Sequence, residues 1–227
     1  MKKVYLTIDE APSVDFKKKI KFMKRRKIPA IIFCIGKQIE RHKEDVIYAI
    51  KNGFVIGNHS FTHPHFSRIS FSESGNEIKK TDELIDSLYK KAKVERPVKL
   101  FRFPYGNKGG KHASKLQVLL KNLGYRMPEF HDIHYHFFHD YYKRGAIDFC
   151  WTFNVMEYTF SSLTEIYKRL DEERDRLGIE IPKKGGSLDK KSSEIIIIHD
   201  EIKTTKFFCK IINHLILMKI KFCLPKF

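Results

Sequence analysis

The sequence predicts an α/β fold on a parallel sheet, as a barrel or a doubly wound sheet, in one domain covering residues 1–227. Three observations lead there. Strand-like and helix-like segments alternate along the chain. The strand-like runs, Ile195–Ile198 above all, are apolar throughout, as burial on both faces demands. Polar residues follow directly on those runs, where a parallel barrel gathers its active site.

Val4–Ile8 reads as the first strand, followed by a helix around Val14–Lys27 and, past Pro29, a second strand at Ala30–Ile35. A helix from Ile39 to Lys51 stops at Gly53, and Phe54–Gly57 is the third strand. A helix over Ser72–Lys91, a strand at Val98–Phe103 and a helix at Ala113–Asn122 come next. Ile147–Asn154 reads as a strand, Leu163–Leu177 as a helix and Ile195–Ile198 as a buried strand. Phe208, Ile211, Ile212 and Leu215 mark a helix over Thr205–Met218, and Ile220–Leu224 closes the chain. Gly178–Ser193, with Pro182 and two glycines among lysines, reads as a surface loop.

With 42% hydrophobic and 13% aromatic residues, the 227-residue chain can build a sizeable core, which excludes global disorder. The formal net charge of +17 invites a polyanion. The basic residues are dispersed over the polar faces of the expected helices, however, so no specific nucleic-acid partner is expected. Cys34, Cys150, Cys209 and Cys223 lie in apolar runs without Cys-x-x-Cys spacing, which reads as buried free thiols rather than disulfides or a zinc–cysteine site. No apolar run is long enough to span a bilayer, and no basic leader with a cleavage site is visible, so a cytoplasmic location is the expectation.

The polar residues after the strands are Asp9-Glu10, His59, Arg102 and His199. An acidic pair can divide its work, one carboxylate binding a metal and the other taking a proton; read alone it is a solvated dipeptide. His59 and His63, four apart, point the same way on a helical turn or tight loop and suit a divalent ion. A satisfied pair of loop histidines is an equal reading of that spacing by itself. With Glu10 they form a two-His, one-carboxylate set that leaves positions open on zinc or another transition metal, as hydrolysis requires.

In order along the chain, five segments resemble the motifs of the polysaccharide deacetylases, carbohydrate esterases acting on N-acetylated glycans. They are Thr7-Ile8-Asp9-Glu10-Ala11-Pro12, Gly57-Asn58-His59-Ser60-Phe61-Thr62-His63-Pro64, Phe101-Arg102-Phe103-Pro104-Tyr105-Gly106, Trp151–Tyr158 and Ile197-Ile198-His199-Asp200. The resemblance implies a distorted (β/α) barrel with about seven strands and a metal-dependent deacetylase. It implies Asp9 as general base, one divalent metal on Glu10, His59 and His63, and Arg102 aiming Asp9. The backbone amide of Tyr105 would hold the oxyanion, and His199, charged by Glu157, would protonate the leaving amine. Glu10 and Glu157 stand where the family has Asp, and Ala11 where it has Gly. The longer carboxylates move the reacting groups by on the order of 1 Å unless the backbone compensates.

Tyr105, Trp151, Tyr158, Ile197, His134 and His136 are the expected lining of a substrate groove. The cluster His131, His134, His136 and His139 is open to three readings: that groove, an auxiliary metal site or a plain surface loop. The expected substrate is an N-acylated amino sugar, with or without a phosphate link, a soluble or lipid-linked glycan precursor being favoured over a cell-wall polymer. The rivals are a non-sugar amidase on the same scaffold and a catalytically degenerate carbohydrate- or polyanion-binding member.

Overall fold

The computed structural model describes residues 2–172 and 192–227. The helix expected at Leu163–Leu177 is thus described only to Glu172, and the loop expected at Gly178–Ser193 lies outside the described residues except for its last two. Fourteen regular elements follow in the order β1 (Lys3–Ala11), α1 (Phe16–Arg25), β2 (Ile31–Cys34), α2 (Gly36–Arg41), α3 (Lys43–Lys51), β3 (Val55–Asn58) and α4 (Phe71–Ala92). Then come α5 (Ala113–Asn122), α6 (His136–Lys143), β4 (Phe153–Asn154), α7 (Leu163–Glu172), β5 (Glu194–His199), α8 (Thr205–Leu217) and β6 (Lys221–Phe222).

Local chemistry explains the boundaries. Ser70 and Glu73 form a reciprocal capping box at the start of α4, which satisfies the first orphan amides, and Lys93 in the left-handed conformation ends it. On α1 the buried Phe16, Ile20 and Met23 recur at helical spacing while the lysines between them face outward, apart from the buried Lys19. The single helix expected over Ile39–Lys51 is two, broken at His42.

All the strands run parallel, in the order β3-β2-β1-β5-β4, with β6 beside β1. Their residues alternate between two cores, as the period of two requires. Leu6, Ile8, Ile32, Ile56, Ile196 and Ile198 pack outward beneath the helices. Tyr5, Ile31, Phe33, Val55 and Ile195 point inward, where Phe130, Ile133, Phe137, Phe138 and Phe149 fill the space.

The strands expected at Val98–Phe103 and Ile147–Asn154 are mostly replaced by single backbone bonds. Asn58 N donates to Leu100 O at 2.8 Å, Arg102 N to Asn58 O at 3.0 Å, Phe149 N to Phe101 O at 2.7 Å and Thr152 N to Ile195 O at 3.0 Å. Among the described residues the sheet thus has six strands where about seven were expected. Single bonds rather than ladders stand between β3 and β5, which is where the barrel is distorted. Pro97 and Pro104 bracket the first segment and donate nothing to a ladder. In the second, the carbonyls of Phe149 and Cys150 are taken by the Arg102 side chain.

Register aligns the strand ends that carry function. Ala11 faces Cys34, Cys34 faces Asn58, and Asp9 faces His199. Among the described residues no helix is long and apolar enough to cross a membrane.

Candidate active site

Asp9 and Glu10 sit in the last turn of β1, not in a free loop. The register with β2 shifts between Ile8 and Ala11, and Glu10 takes a left-handed φ of 63°. That bulge turns Asp9 inward and swings Glu10 toward the neighbouring loops. The unusual conformation belongs to Glu10, so Ala11, buried at the end of β1 and without a positive φ, needs none of glycine's freedom.

The buried Arg102 is the hub. Its Nη1 donates to Asp9 Oδ1 at 2.6 Å and to Thr7 Oγ1 at 2.9 Å, and its Nε donates to Phe149 O at 3.0 Å. The guanidinium lies 4.2 Å from the Phe33 ring centre and 5.5 Å from that of Trp151. A charge-assisted bond to Asp9 in this dry setting keeps that carboxylate aimed into the site.

His59 and His63 lie in a tight loop after β3, where Ser60 and His63 themselves adopt positive φ. His59 Nδ1 bonds to the Arg102 carbonyl at 2.8 Å, which fixes the ring and leaves Nε2 facing His63 and Asp9. Its Nε2 is 3.2 Å from His63 Nε2 and 3.6 Å from Asp9 Oδ2, and His63 Nε2 is 3.7 Å from Glu10 Oε1. Burial lowers the pKa of both rings, that of His63 to about 3 with His59 adding to the effect. Both are therefore neutral, with lone pairs available.

The two imidazoles fit a metal ion. Bonds of about 2.0–2.1 Å at a tetrahedral angle separate two ligand nitrogens by roughly 3.3–3.4 Å, close to the spacing seen. The third ligand is less prepared. Among the described residues no three His, Cys, Asp or Glu side chains are closed around one point. Burial first, then a hydrogen bond with Glu201, pushes the Glu10 pKa up to about 8.

Across the site, Glu157 flanks His199. Its Oε1 accepts the backbone amide of His199 and stands 3.4 Å from the ring Nδ1. Burial opposes the charged imidazole, but Glu157 first, then Asp9 and Glu10, outweigh it and raise the pKa to about 9. Tyr158 packs edge-on against the same ring, with centroids 4.7 Å apart.

Tyr105 is exposed, holds a φ of 57°, stacks on His65 at 4.0 Å and meets His63 edge-on at 4.6 Å. Behind it Gly106 has φ 63°, and a Cβ there would stand 3.0 Å from the Trp151 ring, so the turn needs glycine. Tyr105, Trp151 and Tyr158 thus border the constellation. The other three expected groove residues lie on β5 and at or just before the start of α6. Ile197 is buried in β5, level with Thr7. The amide of His134 donates to Ser192 Oγ, at the end of β5 opposite His199. His136 opens α6 on the wall of a cavity of about 910 Å³, shared with Lys108, Tyr141 and Arg144.

Sequence reasoning left Thr7, His65, Asp200 and Glu201 without roles. Thr7 and Asp200 lie inside motif segments and His65 directly follows one, a signal in plain view. Glu201 had none, because its contact with Glu10 exists only after folding.

A family model described as polysaccharide deacetylase matches residues 1–128, which carry Asp9, Glu10, His59, His63, Arg102 and Tyr105. The chain is 34% identical over 104 residues to a peptidoglycan-N-acetylglucosamine deacetylase of Bacillus cereus, covering 45% of this chain and 36% of that protein. It is 30% identical over 118 residues to the peptidoglycan-N-acetylmuramic acid deacetylase PdaC of Bacillus subtilis, covering 52% and 24%. It therefore matches about a third and a quarter of the length of these relatives. The solved structure of PdaC superposes with a TM-score of 0.65 at 21% identity over 98% of this chain and 86% of that one. A pseudoenzyme of Bacillus anthracis superposes with a TM-score of 0.65 at 17% identity, over 97% and 63%. A deacetylase and a pseudoenzyme share this fold equally, so only the site can argue for activity.

Proposed function

The chain belongs to the polysaccharide deacetylase family, and on that premise we propose that it hydrolyses the N-acyl group, acetyl in the simplest case, of an amino sugar. One observation carries the reading. Asp9 and His199 are register partners on adjacent strands, each backed by its own buried partner, Arg102 for the base and Glu157 for the acid. A base and an acid brought to one site, each with its own buried partner, are what amide hydrolysis needs.

Asp9, aimed by Arg102, takes the proton of the attacking water. His199, charged and with Nδ1 held by Glu157, gives a proton from Nε2 to the nitrogen that departs, since an amine leaves poorly as an anion. The backbone amide of Tyr105 is assigned to the oxyanion. His59 and His63, with Glu10 as third ligand, would hold a divalent ion, most simply zinc, which supplies Lewis acidity when bound. The net charge of +17 supports an anionic substrate, such as a phosphate-linked amino sugar.

A second reading, a carbohydrate-binding member without turnover, is favoured by the Glu10–Glu201 contact, which occupies the proposed third ligand. A release assay over N-acetylated and N-formylated amino sugars, free, phosphate-linked and oligomeric, separates the two. The proposal expects zinc-dependent release of acetate or formate from at least one of them. Binding without release across the panel favours the second reading.

A further inference from the structure

Outside the proposed chemistry, the structure buries a full ion pair. Lys19 on α1 and Asp200 after β5 are 3% and 1% exposed, and Lys19 Nζ meets Asp200 Oδ1 at 2.5 Å. Asp200 also accepts the Ser13 amide at 2.7 Å on Oδ2 and the Ser13 hydroxyl at 2.8 Å on Oδ1. Its own amide donates to the Asp9 carbonyl at 2.8 Å. A lysine is almost never fully buried, and an apolar pair of similar volume is often as stable or more so. Stability alone therefore does not account for Lys19 and Asp200.

Position does. The bonds tie three pieces of chain together: the end of β1 with its bulge at Glu10, the first half of α1, and the turn that follows His199. The β1 end is the weak point, because the left-handed Glu10 interrupts the register with β2 just where Asp9 must be held. Asp200 fastens the strand on both sides of that bulge, through its main-chain amide to Asp9 O before it and through its carboxylate to Ser13 after it. Lys19 supplies the charge that keeps the Asp200 carboxylate in place among apolar neighbours.

We propose that Asp200 and Lys19 are positioning residues, a clamp that fixes Asp9 and Glu10 relative to His199. The proposal rests on the deacylase reading of the site. A misplacement of about 1 Å at a reacting group can cost on the order of 10²-fold in rate, so a clamp of this kind is visible in turnover.

The test pairs Asp200→Asn with the double variant Lys19→Met/Asp200→Leu, which replaces the ion pair by apolar side chains. The double variant should melt at or near the wild-type temperature. Its kcat on the acylated sugar should fall by roughly 10- to 100-fold while KM stays within about twofold. Asp200→Asn keeps the shape and one of the two Ser13 contacts but leaves the Lys19 charge unpaired, so it should melt below the double variant. Unchanged kcat in a folded double variant, or a loss only in proportion to the unfolded fraction, overturns the clamp. If the wild type releases no acyl group, the deacylase reading has failed, and zinc titration alone then judges the clamp. Weaker zinc binding by about tenfold in the double variant, through a displaced Glu10, supports it; equal affinity overturns it.

Discussion

Arg102 and Asp9 form a buried ion pair of 2.6 Å that joins the segment after α4 to the end of β1. Neither group has water to fall back on, so removing one strands the other. Arg102→Ala should cost about 3–5 kcal/mol of folding stability, read by urea denaturation, besides abolishing turnover. Arg102→Lys restores charge but not the bonds to Thr7 and Phe149, and should recover only part of that loss. A wild-type denaturation midpoint in Arg102→Ala would mean that the pair is not buried as described.

The metal claim is testable by elemental analysis. His59→Ala and His63→Ala should each lose the single divalent ion that the wild type is expected to carry, because two remaining ligands hold zinc poorly. Full occupancy in the double variant would place the ion elsewhere.

Glu10 has a pH signature. Its carboxyl, pushed up to about 8 by burial and by Glu201, keeps its proton at neutral pH in the metal-free protein. Zinc must displace that proton, so affinity should climb as pH rises toward about 8 and then level. Glu201→Ala removes one raising cause and should tighten binding at neutral pH, whereas Glu10→Asp, with its shorter reach, should weaken it. Zinc titrations of the three proteins that superimpose would exclude Glu10 as a ligand.

His199 links pH to stability in the metal-free protein. Folded, it holds its proton to about pH 9; unfolded, it releases it near 6.5. Its stabilising contribution is complete below 6.5 and is lost as pH rises through about 9. Glu157→Gln removes the principal raising influence and should flatten that decline. A melting temperature that rises over this window in the wild type contradicts the assignment of a charged His199.

The sequence made the barrel legible where strands are apolar on both faces, as in Ile195–Ile198, and where caps are explicit, as in Ser70 with Glu73. It failed where side chains compete for backbone groups. Val98–Phe103 has strand composition, yet its flanking prolines and the demands of the Arg102 guanidinium leave only single bonds. The helix His136–Lys143 was hidden because His, Phe and Tyr are middling helix formers and its aromatic face is explained only by the barrel interior it plugs. At the site, Asp9, His59, His63, Arg102 and His199 stood out by their place after strands. The left-handed turn at Glu10 and its contact with Glu201 are consequences of tertiary packing, which no spacing in the chain announces.

The central claim is that Asp9 and His199 act as base and acid on an N-acyl amino sugar. The most direct measurement is zinc-supplemented acetate release by the wild type, Asp9→Asn and His199→Ala on the best substrate of the panel. Each variant should lose roughly 10²- to 10⁴-fold in kcat while binding zinc as the wild type does. Near-wild-type turnover in either variant, with zinc bound, would contradict the account.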